Sequence, residues 1–343
     1  MSEFDVGMAG EFREAPDIVR RQSQILPAPI AALVARLKRK PPIVVLTCAR
    51  GSSAHAATFG KHLIERHLGI PCAAAAPNIA SVYRRPLQIK DQLFLAVSQS
   101  GRSDDLIEFA TMARTAGAVT AAMVNDADSP LAAACEFVLP MAAGPELSVA
   151  ATKTFVASLA GLLRLTAAWT GDDALASALA RLPDRVAAAT GLDWRAALNA
   201  LLQADSLITI GRGPTLAIAR EAALKLKETC NLHAEAFSGA EFLHGPVSLV
   251  ADRYPVLTFM PTDAAAEGLH ELVADLRGKG ASVFSTAAGA ATAGNLPALP
   301  PDHPDADAVC LIQTFYALVV ALARQRGTNV DQPRHLQKIT RTR

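Results

Sequence analysis

The stretch from Arg220 to Val247 carries the densest set of side chains that could do chemistry. If it begins as a helix, Glu221, Lys225 and Glu228 fall on one narrow face, because residues three and four apart are neighbours. A carboxylate beside an ammonium group stays ionised and can act as a general base. A solvated face with two intrahelical ion pairs explains the same spacing, and such pairs contribute only about 0.2–0.5 kcal/mol each.

The residues after this helix favour the wall of a cleft over a solvated face. His233, Glu235, Glu241 and His244 follow within one short stretch, which ends in a Gly-Pro turn. A solvent-exposed helix with surface ion pairs does not require such histidines and glutamates after it. The sequence therefore predicts that Glu228 and its neighbours line a cleft.

A second set of polar residues follows two predicted strands in the first half of the chain. Its members carry hydroxyl or amide groups and are Ser52, Ser53, Ser98, Gln99, Ser100 and Ser103. Gly51 and Gly101 lie among them and let the backbone approach a ligand closely. Small hydroxyls, glycines and a helix N-terminus form a cradle for an anion, most often phosphate. Helix capping would explain Ser53 and Ser103 alone.

Charged residues beside this cradle, and the matching position later in the chain, refine the prediction. Asp104 and Asp105 oppose an anion at the next helix, and we expect Arg102 to offset their charge. The matching strand end in the second half reads MPTDAAA and lacks the serines and glycines. We therefore expect only the first half to bind the anion and the second to supply the Glu228 helix.

Buried strands that alternate with helices must position these residues. Continuous apolar runs rich in β-branched residues predict strands buried on both faces. The runs are Pro42–Cys48, Gln92–Ser98, Ala118–Val124, Phe137–Met141, Ser206–Gly211, Pro255–Pro261 and Ala281–Ala287. Each leads through a turn or loop toward a helix, which is the pattern of an α/β fold with a parallel sheet. The halves match at an offset of about 160 residues, as two copies of one unit do.

The predicted organisation is two tandem three-layer αβα domains, each with a mainly parallel, doubly wound sheet. An N-terminal helical segment, broken by Pro27 and Pro29, precedes them. A long helix, Leu147–Trp169, is expected to close the first domain. The predicted boundaries are 1–40 for the helical segment, 41–170 for the first domain, 171–204 for a helical linker, 205–326 for the second domain and 327–343 for a tail over the active site.

Composition excludes several other classes of protein. The chain has 343 residues, 51 % of them apolar, and a net charge of +1, so no broad attraction to nucleic acid or membrane is implied. Its five cysteines form no CxxC and no zinc-ligand spacing, and they are interpreted as buried thiols of a reducing cytoplasm. The acidic N-terminus is not expected to be a signal peptide, and no apolar stretch is expected to approach the roughly 20 residues of a membrane span. We therefore expect a cytoplasmic protein without metal or other cofactor.

Four segments together resemble one known family. SQSGRSDDL, AGPELSVAATKTF, REAALKLKETCNLHAEAFSGAEFLHGP and DQPRHLQK are similar to the isomerase half of glucosamine-6-phosphate synthase, which consists of two tandem SIS (sugar isomerase) domains. The resemblance covers nearly the whole chain in order. It implies that Ser98, Gln99, Ser100 and Ser103 hold a sugar phosphate, with Ser52, Ser53 and Val149 also at the substrate.

The same resemblance implies the catalytic roles. Glu228 moves a proton between C1 and C2 of the sugar, with Lys225 close by. His244 handles ring opening, and Lys338 forms an imine with the open ketose. It also implies a homodimer in which the loop around His244 reaches into the neighbour's active site. His233 and Glu235 receive no catalytic role.

Departures from the synthase pattern bear on the substrate. The synthase begins with a glutaminase domain whose nucleophile is a cysteine at residue 2, where this chain has Ser2, so glutamine-dependent synthesis is not expected. Ala151 stands where the synthase usually has serine, and Arg102 where it usually has an acid. The predicted function is an isomerase and deaminase of an amino-sugar phosphate, converting glucosamine 6-phosphate to fructose 6-phosphate and ammonia.

Two alternatives stay open at this point. A deglycase of a ketose-amine phosphate, or a simple phosphosugar isomerase, would keep the chemistry and change the substrate. A non-catalytic phosphosugar sensor would keep the serine cradle, but it would not require Glu228, Lys225, His244 and Lys338 together. Their joint presence favours an enzyme.

Overall fold

The computed structural model describes residues 7–289 and 294–338, and the chain divides into two compact units. The first-sheet unit comprises Asp17–Glu146, Lys153–Ala180 and Gln337–Arg343. The second-sheet unit comprises Met1–Pro16, Leu147–Thr152 and Arg181–Leu336. Both units are therefore built from discontinuous segments, and Gln337 and Lys338 belong to the first-sheet unit.

Helices follow most strands along the chain, as the alternating pattern predicts. In chain order they are α1 Met8–Glu11, α2 Ala15–Ile25, α3 Pro27–Arg39, α4 Gly51–Leu68, α5 Asn78–Ser81, α6 Asp104–Thr115, α7 Pro130–Ala134, α8 Lys153–Thr170, α9 Asp173–Thr190, α10 Leu198–Leu202, α11 Thr215–Cys230, α12 Gly239–Phe242, α13 Glu267–Gly278 and α14 Pro304–Gln325. Pro27 ends the N-terminal helical run as predicted, because a proline at the first position of α3 leaves no donor for a continuing helix.

The first-sheet unit contains five parallel strands in the order β2-β1-β3-β4-β5. The strands are β1 Val45–Cys48, β2 Cys72–Ala74, β3 Leu93–Ser98, β4 Val119–Val124 and β5 Phe137–Pro140. Strands β1, β3 and β4 are buried along their whole length. Their apolar runs fill a core in which the Phe94 and Phe109 rings stack 5.4 Å apart.

The second-sheet unit repeats this topology in the order β10-β9-β8-β6-β7, again with all neighbours parallel. Its strands are β6 Ser206–Gly211, β7 His233–Ser238, β8 Pro255–Thr258, β9 Ser282–Ala288 and β10 Asn295–Ala298. Strand β6 corresponds to β1, β8 to β3 and β9 to β4. The predicted α/β fold with two doubly wound parallel sheets is confirmed.

Helix α14 is long and apolar enough, by length and composition, to cross a membrane. However, 89 % of its apolar window is buried inside the protein, so it serves as a core helix. The prediction that no apolar stretch reaches the length of a membrane span was therefore wrong for this helix. The amphipathic signal was absent because nearly every face of α14 packs against other elements.

Helix α8 begins at Lys153, six positions later than the predicted helix start at Leu147. Residues 147–152 belong instead to the second-sheet unit. There the Glu11 carboxylate accepts hydrogen bonds from the Leu147 and Ser148 amides, and the Val149 amide donates to the Asp331 carbonyl at 3.2 Å. These amides have partners far away in sequence, which local periodicity cannot reveal.

Candidate active site

Two polar loops of the first-sheet unit lie at the carboxyl ends of neighbouring strands. Ser52 and Ser53 begin the helix after β1, and Ser98–Ser103 follow β3. In the order β2-β1-β3-β4-β5, the connections leave in opposite directions at β1 and β3. Ligands of open α/β sheets bind in the crevice at such a switch point. The structure thus brings together the hydroxyl groups that the sequence singled out.

The loop after β3, from Ser98 to Ser103, is here called the serine loop. The Gly101 amide donates to Ser98 Oγ at 3.1 Å, and the Arg102 amide donates to Ser100 Oγ at 3.3 Å. Gly101 has φ +62°, and a Cβ there would lie 2.1 Å from Ser129 Oγ. Only glycine fits this position, so the tight curl of the loop depends on it.

Helix capping does not account for the hydroxyl groups of Ser52, Ser53 and Ser103. The N-cap of α4 is Arg50, and the hydroxyl of Ser103 makes no capping hydrogen bond to α6. Across residues 7–289 and 294–338, the side chains of Ser52, Ser53 and Ser103 make no hydrogen bond. Their hydroxyl groups are therefore available to a ligand, as the anion-cradle interpretation requires.

Two arginines neutralise acids around the serine loop, in a pairing that differs from the prediction. Arg102 pairs with Asp126 at 2.8 Å rather than with Asp104 or Asp105. Asp105 instead accepts from Arg50 at 2.6 Å. Arg50 could not be recognised from the sequence, because its partner lies 55 positions away and the β1–β3 pairing brings the two together.

The corresponding strand end of the second-sheet unit is built differently. After β8, the Asp263 carboxylate accepts from the Ala265 amide at 3.0 Å and so caps the following helical turn. A cavity of about 340 Å³ opens beside it, lined in part by Thr262, Thr286 and Asp307. The Asp263 carboxylate thus occupies an amide of this turn and adds a negative charge, which disfavours an anion there. That only the first copy binds the anion stays a prediction.

Helix α11 of the second-sheet unit carries the predicted ionic cluster. Lys225 Nζ lies 3.3 Å from Glu221 Oε1 and also donates to Glu228 Oε2. The side chains of Glu221 and Lys225 are 0 % and 1 % exposed, whereas that of Glu228 is 21 % exposed. The two ion pairs are confirmed, and the alternative of a solvated helix face was wrong.

The charges of this cluster stabilise one another. Burial alone would lower the pKa of Lys225, but the Glu221 and Glu228 carboxylates outweigh burial and raise the pKa above its usual value. Lys225 is therefore an ammonium group at neutral pH. It holds the Glu228 carboxylate at a fixed place and supplies a positive charge beside it.

Glu228 differs from its two partners because it borders an open cavity. This cavity has a volume of about 390 Å³ and lies at the C-terminal end of α11. Its other lining residues come from the end of α11 and from the segment after α14, including Asn231, Thr328 and Gln332. A small polar molecule can thus reach Glu228, while Lys225 stays out of solvent.

His244 lies in an exposed turn after α12. No hydrogen bond or ion pair joins its side chain to Lys225 or Glu228 in the part of the chain that the structure describes. His233 and Glu235 are exposed on β7, a strand that the sequence analysis did not predict. Strand β7 was missed because it lies at the sheet edge and its sequence, HAEAFS, has no apolar run.

Lys338 and Val149 lie in different units. In the first-sheet unit, Lys338 Nζ is 3.6 Å from Glu146 Oε2, a fully buried carboxylate that also accepts from the Thr154 hydroxyl at 2.5 Å. Val149 is half-buried in the second-sheet unit. Glu146 was missed by the sequence analysis, although its place in the AGPE turn before a helix offered a signal.

The described residues were found to contain no cluster of side chains suited to a metal ion. No group of three or more His, Cys, Asp or Glu side chains among residues 7–289 and 294–338 could hold a metal ion. All five cysteines are buried and unpaired with one another, as predicted.

Comparison with known proteins identifies relatives over nearly the whole chain. The model of the SIS domain family matches residues 39–168 and 200–289. A glutamine–fructose-6-phosphate aminotransferase (isomerizing) of Symbiobacterium thermophilum is 34 % identical over 328 residues, which cover 90 % of this chain and 52 % of that protein. The chain thus spans about half the length of the curated relatives it matches.

Solved structures agree with this result. A candidate phosphosugar isomerase of Silicibacter pomeroyi DSS-3 is 45 % identical, with a TM-score of 0.89 over 94 % of this chain and 99 % of that one. The C-terminal domain of glucosamine-fructose-6-phosphate aminotransferase from Francisella tularensis has a TM-score of 0.84 over 96 % and 99 % of the two chains. At 24 % identity it shows the fold alone. With two matched segments and these relatives, the chain belongs to the SIS domain family.

Proposed function

We propose that this chain is an amino-sugar phosphate isomerase and deaminase that converts glucosamine 6-phosphate and water to fructose 6-phosphate and ammonia. The observation that carries the proposal is the α11 cluster. Glu228 borders a cavity, whereas the lysine that orients it is buried and charged. An oriented carboxylate with a fixed cation beside it suits proton transfer on a carbon next to a carbonyl.

The proposed reaction starts from the open-chain aldose. Glu228 removes the proton from C2 as O1 takes up a proton, which gives an enolamine; it then returns a proton to C1 as the amine nitrogen loses one, which gives a ketimine at C2. Water adds to the ketimine and ammonia leaves, so that fructose 6-phosphate remains. Lys225 stabilises the negative charge that develops on oxygen during proton transfer. One carboxylate serves both carbons because they are adjacent.

The other predicted residues bind the substrate or prepare it. The hydroxyl groups of Ser98, Ser100 and Ser103, with Gln99, hold the phosphate, while Ser52, Ser53 and Val149 contact the sugar. His244 opens the sugar ring, and Lys338 condenses with the C2 carbonyl of the open ketose to form an imine with release of water. Borohydride reduction with fructose 6-phosphate present is then expected to trap a covalent adduct on Lys338.

The proposed assembly is a cytoplasmic homodimer. The exposed turn that carries His244 supports this proposal, because the imidazole has no catalytic partner on its own subunit among the described contacts. In a dimer it would reach the neighbour's Glu228. The glutamine-dependent reaction named for the longer relatives is not proposed for this chain.

Release of ammonia tests the function. The purified protein is incubated with glucosamine 6-phosphate, N-acetylglucosamine 6-phosphate, a fructosamine 6-phosphate and free glucosamine, and ammonia and ketose are measured. We expect equal amounts of ammonia and fructose 6-phosphate from glucosamine 6-phosphate and little product from free glucosamine. Turnover of the fructosamine phosphate alone would replace the proposal with a deglycase.

A further inference from the structure

One ion pair joins the two ligand-binding loops of the first-sheet unit. Arg50, the N-cap of α4, donates from Nε at 3.0 Å and from Nη2 at 2.6 Å to Asp105 Oδ2 in the first turn of α6. Arg50 directly precedes the turn with Ser52 and Ser53, and Asp105 directly follows the serine loop. The pair therefore spans the crevice between the ends of β1 and β3.

The geometry of this pair is rigid. The Asp105 side chain is only 1 % exposed, and its Oδ1 accepts from the Leu106 amide at 2.9 Å. One carboxylate thus binds its own helix and the guanidinium of the neighbouring loop. The planar guanidinium, held through two N–H groups, fixes both direction and distance in a way that a single point charge cannot.

The corresponding loops of the second-sheet unit lack such a link. Arg212 follows β6 at the position that Arg50 occupies after β1, but its side chain makes no ion pair with any residue of 7–289 or 294–338. Asp263, after β8, caps the helical turn that follows it. The repeated topology alone does not require the link, and it occurs in the unit that carries the serine cradle.

We propose that the Arg50–Asp105 pair is a positioning strut that holds the Ser52–Ser53 turn at a fixed distance from the serine loop. The inference rests on the proposed function, in which one loop contacts the sugar and the other the phosphate. With the strut in place, both contacts form at once on one hexosamine phosphate. Without it, each loop still binds its own group, but the two no longer act together on one molecule.

A charge-neutral double variant tests the strut. Arg50→Gln with Asp105→Asn removes one charge of each sign, so the net charge of the crevice stays constant and no buried carboxylate is left unpaired. We expect kcat/KM for glucosamine 6-phosphate to fall by about 10- to 100-fold, since a 1 Å misplacement can cost about 10²-fold. Calorimetry is expected to show a weaker Kd for the phosphosugar and an unchanged Kd for inorganic phosphate.

That split between the two ligands separates positioning from direct phosphate binding and from loss of fold. Equal weakening for both ligands, or no weakening for either, would overturn the strut. Arg50→Lys, which keeps a single point contact, is expected to weaken phosphosugar binding less than the double variant does. Unfolding in urea checks that the variants stay folded.

A matched control and the wild-type protein complete the design. Arg181 makes a similar two-point pair with Asp302, at 3.1 and 2.7 Å, and its side chain is equally exposed. Arg181→Ala is expected to change neither Kd. If the wild type binds hexosamine phosphates but releases no ammonia, the proposed function fails while the calorimetry still judges the strut; if it binds neither phosphate nor phosphosugar, both proposals fail.

Discussion

At the scale of single residues, the carboxylate proposed as the base is distinguished by its exposure rather than by its charge. Glu221 and Glu228 both contact Lys225, but Glu221 is fully buried, whereas Glu228 is partly exposed and borders a cavity. Glu221 contributes a second negative charge inside the protein and so keeps Lys225 protonated. This difference in exposure follows from helical spacing. Positions 221, 225 and 228 share one face of α11, but position 228 lies near the end of the helix.

Replacement of Glu228 by glutamine tests its role in proton transfer. Glutamine keeps the shape of the side chain and removes the base, and a general base typically contributes about 10²–10⁴ in rate. We expect kcat for ammonia release to fall by that factor, with Kd for the sugar phosphate nearly unchanged. Glu235→Gln, an exposed change on β7, serves as the control and is expected to keep full activity. An active Glu228→Gln enzyme would contradict the assignment.

Replacement of Lys225 by methionine tests the buried ion pairs. It leaves two carboxylates together without their cation, and loss of one partner of a buried pair typically costs about 3–5 kcal/mol of unfolding free energy. Lys279, the C-cap of α13, forms an i,i+4 pair with Asp275 but is half-exposed, so Lys279→Met is expected to change stability by less than about 1 kcal/mol. If Lys225→Met and Lys279→Met lost similar amounts of unfolding free energy in urea, the expected difference between a buried and an exposed pair would be contradicted.

The raised pKa of Lys225 also sets a pH dependence. Its folded pKa lies above the ordinary value of 10.5, so the stabilisation is fully present below pH 10.5 and is lost as pH rises through the folded pKa. Wild-type unfolding free energy is therefore expected to carry no Lys225 contribution to its slope between pH 6 and about 9. Above about pH 10.5 it is expected to fall more steeply than that of Lys225→Met.

At the scale of elements, the sequence predicted the strands that are buried and apolar and missed the short or exposed ones. β6 runs from Ser206 to Gly211 as predicted, because the apolar run SLITIG is typical of a strand in the interior of a sheet. Strand β2 has three residues, CAA, and carries no periodic signal. The α8 start was misplaced since Glu11 and Asp331 bind the preceding amides from afar.

The same distinction applies to the candidate site. Residue types and spacing located Lys225, Glu228 and the serine loop, all of which depend on local sequence. Arg50–Asp105 and Lys338–Glu146 depend on pairing of distant segments, and no pattern along the chain encodes the distance between them. Long-range pairs of this kind follow only from the fold.

The serine loop offers an element-scale test in which two serines are expected to behave differently. Ser98 Oγ accepts from the Gly101 amide, so Ser98→Ala is expected to lower both stability and phosphosugar affinity. Ser103 makes no such bond, so Ser103→Ala is expected to lower affinity alone. A hydrogen bond to a charged group contributes about 1.5–3 kcal/mol, or roughly a 10- to 100-fold change in Kd. Equal Kd values of the wild type for glucosamine and its 6-phosphate would refute the cradle.

At the scale of the whole molecule, the two units share one topology but carry different polar and charged side chains. The first-sheet unit has the glycine-curled serine loop and unused hydroxyl groups at its strand ends. The second-sheet unit has a carboxylate-capped turn at the same place and a buried ionic cluster on α11. Specialisation after duplication is possible because the sheet supports the loops whatever their sequence.

The proposed dimer can be tested by mixing two inactive variants. If His244 acts in the neighbour's site, a dimer of His244→Ala with Glu228→Gln contains one site with both wild-type residues and one site with neither. Random exchange would place about half of the subunits in mixed dimers, so about a quarter of wild-type activity is expected to return. Separate affinity tags on the two variants allow the mixed dimers to be purified and their ammonia release measured. Purified mixed dimers without activity would show that His244 does not serve the neighbour's site, whereas monomeric protein at all concentrations would exclude the shared site altogether.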